Sequence, residues 1–530
     1  MTTSNSAFRT FAITYFNRQA LSLLFLGFSA GVPIVLLLSS LGLWLREAGI
    51  ERSTVTMFGY AGLGYSFKFI WSPLADSLPL PILTKWLGQR RAWLLFSQIL
   101  MIMAIIIMAM TNPQGENLAI MAMGAVLLGF SAATQDIAID AYRIESAPSD
   151  MQTALSATYV AGYRIGMIVS GAGALYLADF FGSTKEMYSY LAWQKTYLIM
   201  ACIMGVAVAT TLVIKEPKFY TKKELRPTSD YLRLLLVFIC AIISFIATYR
   251  FLGGVLPKVD DVLASFMIGS ARFLSSGVVA FGAGFMLVQF GVVDKKVAHE
   301  MWIRPLTDFF ERYGKKALML LALIGLYRIS DIVVGNISNI FYQDLGFSKS
   351  QIATAVKTFG VIAAIGGGFF GGTIAQKIGV MKAMFVGALL ACATNLLFIM
   401  LFYTPTGVLL VDKIVSLPLL GERLFHVELK DVSLYVAVLT DNMASGLASA
   451  VFVAFLSALT SIRFTAVQYA LFSSLMTLSP KILGGYSGAI VDKIGYPKFF
   501  MITFIIGLPI LYLIYMVHKK IPLQLPDDKK

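Results

Sequence analysis

The segment from Thr134 to Arg143 places three charged side chains inside an otherwise apolar stretch. Asp136 and Asp140 are four residues apart and Arg143 follows three later, so a helix carries all three on one face. A charge at the centre of a bilayer costs about 3 kcal/mol or more unless it meets water or a partner. Paired, partly desolvated carboxylates are suited to binding and releasing a proton. Alternatively, Arg143 snorkels at a helix end and Asp140 is its structural partner.

A second charged pair lies in the middle of another apolar segment. Arg328 and Asp331 are three residues apart on one helix face, directly after Tyr327. The pair indicates a hydrated stripe along a transport pathway, or a self-neutralising contact that holds the helix in place.

A third carboxylate opens a later apolar segment. Asp441 is followed by Asn442 and then by a face of small residues, Ser445, Gly446 and Ser449. That face is equally compatible with close helix packing, whereas Asp441 itself needs water or a partner.

Isolated polar residues in other segments complete the candidate set. Arg164 lies too deep in its segment to snorkel easily, Lys357 is similar but shallower, and Lys68 could simply snorkel. The predicted proton-coupling residues are Asp136, Asp140, Asp331 and Asp441. The predicted substrate-binding residues are Lys68, Gln135, Arg143, Arg164, Tyr327, Arg328, Lys357, Asn442, Gln468 and Tyr469.

Catalytic and metal-binding patterns are missing from the sequence. His299, His426 and His518 are far apart, and the loops hold no Ser/His, His/Asp or metal-ligand spacing. His426 in the long loop from Tyr403 to Asp431 fits a solvated charge run. We therefore expect no metal, no cofactor and no enzyme activity, with a membrane-embedded transferase as a weaker alternative.

Composition explains why these charges stand out. The chain has 530 residues, of which 58% are hydrophobic and only 14% charged, too few to cover a water-soluble fold. The net charge of +14 comes from short basic clusters between apolar runs, which indicates membrane topology rather than nucleic-acid binding. Cys202, Cys240 and Cys392 all fall in apolar segments, so we expect buried thiols and no disulfides.

Long apolar runs predict about 14 transmembrane helices, each near the roughly 20 residues that cross a bilayer. The first run is too long for a removable signal peptide. The predicted organisation is an N-terminal six-helix half at 1–214, a linker with two inserted helices at 215–316, and a C-terminal six-helix half at 317–530. The runs lie near 20–45, 54–72, 92–110, 118–141, 153–178, 196–214, 232–252, 263–292, 317–341, 352–375, 383–403, 434–458, 464–490 and 499–517.

Loop composition orients these helices and relates the two halves. Lys and Arg favour the loops on the side of both termini, which predicts a cytoplasmic N- and C-terminus. A loop with Asp76, Arg90 and Arg91 follows the second segment, and a similar loop, 371–379, follows the eighth core segment with Gln376 in place of an aspartate. The pair predicts a gating loop in duplicated halves, unless both are ordinary short turns.

The acidic residues then fall on core helices 4, 7 and 10. In the major facilitator fold, helices 1, 4, 7 and 10 line the central cavity, and the first segment supplies Gly27, Gly31 and Pro33, which permit bending. We therefore expect an all-α polytopic membrane protein of the major facilitator fold, with two six-helix halves, two inserted helices and a central charged pathway.

Four strings carry a closer resemblance. They are FKFIWSPL at Phe67–Leu74, QDIAIDA at Gln135–Ala141, GYRIGM at Gly162–Met167 and FTAVQYAL at Phe464–Leu471. They resemble the AmpG family of muropeptide permeases over most of both halves, and related acetyl-CoA transporters share parts of the pattern. The inserted helix pair departs from the simplest form of that family.

The resemblance implies a function that composition and spacing do not. It implies proton-driven import of anhydromuropeptides (GlcNAc–1,6-anhydroMurNAc-peptides) from periplasm to cytoplasm, in cell-wall recycling and beta-lactamase induction. The expected partners are an anionic glycopeptide, protons and membrane lipid, and the expected state is a monomer in the bacterial inner membrane. The alternatives are a transporter of another anion, such as an acyl-coenzyme A or a siderophore, and a non-transporting sensor.

Overall fold

The computed structural model describes residues 15, 17–51, 54–55, 58–114, 117–148, 151–184, 187–217, 228–257, 262–417, 421–484 and 487–521. The chain forms two compact units. The first comprises Met1–Phe69, Leu80–Tyr220 and Lys315–Lys530, and the second comprises Ile70–Pro79 and Thr221–Gly314. Most of both predicted six-helix halves therefore lies in the first unit, and the inserted helix pair lies in the second.

The described chain up to Val213 is mostly helical, and π-helical turns interrupt two of its long helical segments. A π-helical turn, Leu36–Ser40, follows Pro33, whose missing N–H removes a helical hydrogen bond, and a second π turn, Val169–Gly173, lies between α8 and α9. The α-helices are α1 (Arg18–Val35), α2 (Leu41–Glu47), α3 (Gly64–Phe67), α4 (Ser72–Ser77), α5 (Leu83–Leu87), α6 (Gln89–Ala109), α7 (Leu118–Ser146), α8 (Gln152–Ile168), α9 (Ala174–Phe180), α10 (Tyr190–Ile203) and α11 (Gly205–Val213), with 3-10 turns at Gly59–Leu63 and Lys68–Ile70.

The second unit contains the inserted pair and a shorter helical segment after it. These helices are α12 (Thr228–Val255), α13 (Val262–Gln289), α14 (Lys295–Ala298) and α15 (Arg304–Tyr313), with a π turn at His299–Ile303. Only 17% of the apolar window in α12, and 6% of that in α13, is buried inside the protein. Because nearly all their apolar surface faces outward, lipid is the environment that suits this pair.

The C-terminal half repeats the helical pattern and adds a hairpin. Its elements are α16 (Lys316–Leu326), α17 (Ile329–Asp344), α18 (Lys349–Ile352), α19 (Gly360–Ile378), α20 (Val380–Ala393), α21 (Asn395–Tyr403), β1 (Leu409–Leu417), β2 (Gly421–Glu428), α22 (Leu429–Leu459), α23 (Thr465–Gly484), α24 (Ser487–Ile494) and α25 (Tyr496–Lys520). A π turn, Ala353–Phe359, and a 3-10 turn, Ile462–Phe464, complete it. The strands pair antiparallel within the loop that the sequence predicts only as solvated.

Eleven helical segments among the described residues are long and apolar enough to cross a membrane. They correspond to eleven of the fourteen predicted runs. The other three runs, near 54–72, 317–341 and 464–490, contain helices that are not among these eleven. The run near 317–341 is divided between α16 and α17, and Tyr327 and Arg328 lie at the break.

Glycines bring α1 and α8 into backbone contact. A Cβ on Gly27 would overlap the carbonyl oxygen of Tyr159, and one on Gly162 would overlap that of Leu24. The sequence predicts Gly27 as a bending point, but its structural use is close approach to α8. The same approach fixes the face of α8 that carries Arg164.

A similar contact recurs in both halves. In the N-terminal half, a Cβ on Gly129 of α7 would overlap the carbonyl oxygen of Ala61, and in the C-terminal half one on Gly446 of α22 would overlap that of Ala364. The contacts join the fourth core segment to the second in the N-terminal half, and the tenth to the eighth in the C-terminal half. A close backbone approach at corresponding positions is expected if the two halves arose by duplication.

The three cysteines are free, but only Cys392 is buried. Cys240 is half-buried and Cys202 is exposed, so the expectation of three buried thiols is wrong for Cys202. The physical reason is that lipid-facing and core-facing positions of a membrane helix are equally apolar in sequence.

Candidate functional site

Lys68, Asp136, Asp140 and Arg143 form a buried cluster, called here the N-half cluster. Lys68 Nζ lies 3.8 Å from Asp136 Oδ2 and 3.3 Å from Asp140 Oδ2. Arg143 Nη2 lies 3.4 Å from Asp140 Oδ1, and the Arg143 side chain is 0% exposed. The predicted common face of α7 is therefore confirmed. Lys68 does not snorkel but serves as a buried counter-ion.

Tyrosines from three elements, α3, α8 and α23, lie around the N-half cluster. The guanidinium carbon of Arg143 lies 5.3 Å from the centre of the Tyr159 ring and 4.9 Å from that of Tyr469. Tyr65 and Tyr163 lie within electrostatic range of Asp136. These rings provide cation–π contacts and hydroxyl groups around the charges, in a setting from which water is largely removed.

Arg328, Asp331, Ser445 and Ser449 form a second group, called here the C-half cluster. Arg328 makes an ion pair with Asp331 and donates to Ser449 Oγ at 2.7 Å and to Ser445 Oγ at 3.1 Å. Ser445 in turn donates to Asp331 Oδ2 at 3.2 Å. The side chains of Arg328 and Asp331 are 18% and 16% exposed, so this cluster is more open than the first.

The small-residue face of α22 has two roles. Its serines hydrogen-bond the C-half cluster, while Gly446 between them allows close approach to α19. The interpretation of that face as close helix packing is therefore correct for Gly446, while its serines complete the C-half cluster.

Asp441 lies on α22, about one helical turn before Ser445 of the C-half cluster. Its Oδ1 accepts a hydrogen bond from Thr394 Oγ1 at 2.9 Å, and it lies within electrostatic range of Asp331 and Arg328. The partner that Asp441 requires is thus a hydroxyl on the segment joining α20 to α21.

Three predicted substrate contacts use polar groups within the protein. The Tyr327 hydroxyl donates to the Met384 carbonyl at 3.1 Å, and Asn442 Nδ2 donates to the Val438 carbonyl at 2.9 Å. Gln468 Oε1 accepts from the Ser461 backbone at 2.8 Å. These contacts stabilise helix packing and a helix start.

Arg164, on α8 of the other half, lies within electrostatic range of both Arg328 and Asp331 of the C-half cluster. Two guanidinium groups therefore act on the region of one carboxylate, an arrangement that an added anion would stabilise. The Lys357 side chain, predicted to act with them, lies outside the described residues.

Several buried polar atoms have no hydrogen-bond partner among the described residues. They include both side-chain heteroatoms of Gln135, Oδ1 of Asp136, Nε and Nη1 of Arg143, and Nε of Arg328. Such atoms cost free energy unless water or a ligand satisfies them. These four residues are all predicted site residues, and three of them belong to the N-half or the C-half cluster.

Comparison with known proteins identifies the family. The family model of the Major Facilitator Superfamily matches residues 11–421. A putative transporter AmpG 4 from Rickettsia felis is 30% identical over 496 residues, which cover 94% of this chain and 95% of that protein. This chain belongs to the AmpG family of the major facilitator superfamily.

Two further similarities agree with this assignment. The anhydromuropeptide permease of Escherichia coli K12 is 29% identical over 507 residues, which cover 96% of this chain and 81% of that protein. The crystal structure of the transporter FucP in the outward conformation matches with a TM-score of 0.56 at 12% identity, over 95% of this chain and 99% of that one. The predicted fold is confirmed. This AmpG-family chain is a multi-pass membrane transporter and not an enzyme.

The two halves of this AmpG-family chain meet at one end of the first unit, where α1 begins and α25 ends. We call it the terminal end. Arg90 donates to both carboxylate oxygens of Glu145, at 2.9 and 2.7 Å, and to Thr465 Oγ1 of the other half at 3.0 Å. Thr465 also donates to Glu145. These three buried side chains close the terminal end.

A second contact between the halves lies nearby. The Tyr15 hydroxyl donates to the Phe369 carbonyl at 3.3 Å and lies 3.3 Å from Thr373 Oγ1, and its ring packs edge-on against that of Phe369. Because α19 ends shortly after Thr373, this contact also belongs to the terminal end.

The predicted gating-loop residues occupy different positions. Arg90 belongs to the closure, while Arg91 donates to the carbonyls of Thr211 and Leu212 at 3.0 and 2.8 Å and thus caps α11. Asp76 is buried within the second unit. The backbone N–H groups of Arg90 and Arg91 donate to Glu216, whose carboxyl pKa is raised by burial.

Some residues near the two clusters and the terminal end are absent from the predicted site, and only part of them have a signal in the sequence. Tyr159 and Tyr163 are four residues apart on α8, with ring centres 6.3 Å apart, and both precede Arg164. Glu145 lies two residues after Arg143 on α7, and that acidic position near a basic loop was a usable signal. Tyr15 and Thr465 became visible only through contacts between distant segments.

Proposed function

We propose that this chain imports anhydromuropeptides across the bacterial inner membrane by proton symport. The substrate class comes from the family relationship, above all from the similarity to the E. coli anhydromuropeptide permease. Proton coupling is inferred from the charge arrangement of the N-half cluster, and the direction of transport from closure of the terminal end together with the distribution of Lys and Arg.

The charge balance of the N-half cluster is the single observation that carries proton coupling. Lys68 and Arg143 neutralise Asp136 and Asp140, so protonation of either carboxylate leaves one cation in surplus. Such a surplus is unfavourable in a low-dielectric site unless an anion is bound. Proton binding therefore favours binding of a substrate carboxylate, and the reverse holds by reciprocity.

The anion itself is assigned to Arg164 and Arg328. These groups come from different halves and lie within electrostatic range of each other, and Arg328 Nε has no partner among the described residues. A peptide carboxylate between them would receive charge-assisted hydrogen bonds from both halves. Binding there would draw the halves together around the substrate.

Transport then requires the terminal end to open. Closure by Arg90, Glu145 and Thr465 corresponds to a state in which substrate enters from the opposite side. If both chain termini are cytoplasmic, as the distribution of Lys and Arg predicts, this state accepts substrate from the periplasm. Rocking of the two halves would release it inside.

The test is uptake of radiolabelled GlcNAc–anhydroMurNAc-peptide into proteoliposomes with acid either outside or inside. Wild-type protein is compared with Asp136→Asn and with Asp179→Asn, a control that removes an exposed carboxylate of the same half. We expect accumulation that requires outside acid, is lost in Asp136→Asn and persists in the control.

Three results separate the parts of the proposal. No uptake by folded wild-type protein under either gradient would refute the muropeptide assignment, and competition with an acyl-coenzyme A or a siderophore would then identify another anion. Uptake that ignores the gradient would refute symport. Full accumulation by Asp136→Asn would refute the role of Asp136.

A further inference from the structure

Arg143 belongs to the N-half cluster and also reaches the other half. Its Nη2 atom lies 3.4 Å from Asp140 Oδ1 and donates to Ser457 Oγ of α22 at 3.3 Å. One nitrogen therefore joins a carboxylate of the N-terminal half to a hydroxyl of the C-terminal half. No side-chain surface of Arg143 is exposed, so the residue has little room to move while the terminal end is closed.

Ser457 is oriented to accept this hydrogen bond. Its own hydroxyl proton is directed to the Val453 carbonyl, at 2.8 Å within α22, which leaves its lone pairs for Arg143. On the same side, the ring of Tyr469 from α23 lies 4.9 Å from the Arg143 guanidinium carbon. Two elements of the C-terminal half therefore hold this arginine.

We propose that Arg143 is a latch that links the protonation state of the N-half cluster to closure of the terminal end. The inference rests on the proposed proton symport. While Asp140 is charged, its ion pair holds the guanidinium against Ser457 and Tyr469. When the cluster gains a proton, Arg143 is held less firmly, the contact with α22 weakens, and the terminal end opens.

The groups around this latch define what else titrates with it. Four elements contribute charged or titratable side chains that face Asp140 or Arg143: Lys68 from the 3-10 turn, Asp136 from α7, Tyr159 from α8 and Tyr469 from α23. Because Lys68 also pairs with Asp140, loss of the Asp140 charge leaves two cations near Asp136 alone. That imbalance is what loosens the latch.

The test measures the state of the terminal end directly. Spin labels on Lys85→Cys and Lys377→Cys, in protein whose three native cysteines are replaced by alanine, report the distance between the halves. The variants are Ser457→Ala and Asp140→Asn, singly and together. The control is Thr460→Ala, because among the described residues that hydroxyl bonds to the Leu456 carbonyl of the adjoining helix α22 and to nothing in the other half.

We expect each single variant to lower the closed-to-open ratio about tenfold, the effect of losing one hydrogen bond to a charged group. The double variant should add little to either single one, since both break the same link. In proteoliposomes, Ser457→Ala should transport substrate down its own gradient but lose accumulation driven by protons. Thr460→Ala should match wild type in both measurements.

Additive effects, or a wild-type distance distribution in Ser457→Ala, would overturn the latch. Full proton-driven accumulation by Ser457→Ala would do the same. If wild-type protein itself shows no proton-driven accumulation, symport fails and the link to protonation fails with it. The distance measurement still decides whether Asp140 and Ser457 act through one contact.

Discussion

The N-half and C-half clusters perform charge compensation in different ways. In the N-half cluster, Lys68 and Asp140 are 72 residues apart, and an α7 face meets a separate 3-10 turn. In the C-half cluster, Arg328 and Asp331 are one helical turn apart, and serines of α22 complete the site. The N-half cluster is assembled by tertiary packing. The ion pair of the C-half cluster is local in sequence, and its arginine also donates hydrogen bonds to α22.

This difference has a functional consequence. A charge that depends on several elements can change helix packing when it is neutralised, whereas an i,i+3 pair at the start of one helix can remain in place. The N-half cluster therefore suits proton-linked movement. The C-half cluster suits a fixed platform for an anion, with Arg164 within electrostatic range of it.

The largest expected effect comes from removing the shared cation. Lys68→Met leaves two buried carboxylates with one remaining counter-ion, and we expect a loss of about 3–5 kcal/mol in the free energy of unfolding. Thermal unfolding of the purified protein would measure this. Adding Asp140→Asn restores the charge balance and should recover much of the loss. A double variant no more stable than Lys68→Met would show that the lysine acts through packing alone.

A smaller effect is expected for the local pair. Asp331→Asn leaves Arg328 with its serine contacts and some exposure to water, so we expect a loss of about 1–3 kcal/mol. The yield of folded protein should fall, while the proton dependence of transport per folded molecule stays close to wild type. Loss of proton dependence at normal yield would instead move the proton site to the C-terminal half.

The smallest effect is expected for a neutral partner. Ser449→Ala removes one hydroxyl acceptor from Arg328, while Ser445 and Asp331 remain. We expect a loss of about 1 kcal/mol in stability and weaker binding of substrates that carry a carboxylate. Comparison of muropeptides that have free peptide carboxylates with muropeptides whose carboxylates are amidated, in competition assays, would measure it. Equal weakening for both substrates would argue against a carboxylate site at Arg328.

Much of the architecture could be predicted from the sequence because bilayer energetics act on single segments. Apolar length gives most of the spans, and the cost of buried charge marks Asp136, Asp140, Arg328, Asp331 and Asp441 as residues needing partners. The i,i+4 and i,i+3 spacings also predict which of them share a face.

Other features could not be predicted, because they depend on which segments become neighbours. Glycine at positions 27 and 162 could indicate bending or close packing, and only the contact between α1 and α8 decides this. Exposure of Cys202 is hidden because hydropathy does not distinguish lipid from protein interior.

The sequence by itself determined that this protein spans a membrane and that it buries paired charges in the AmpG-family pattern. Only the tertiary structure decided that Lys68 is the counter-ion of both Asp136 and Asp140, that Arg164 lies within electrostatic range of Arg328, and that the terminal end is closed by Arg90, Glu145 and Thr465. The physical reason is that hydropathy and helical spacing are properties of one segment, while the partner of a buried charge is chosen by packing between segments distant in sequence.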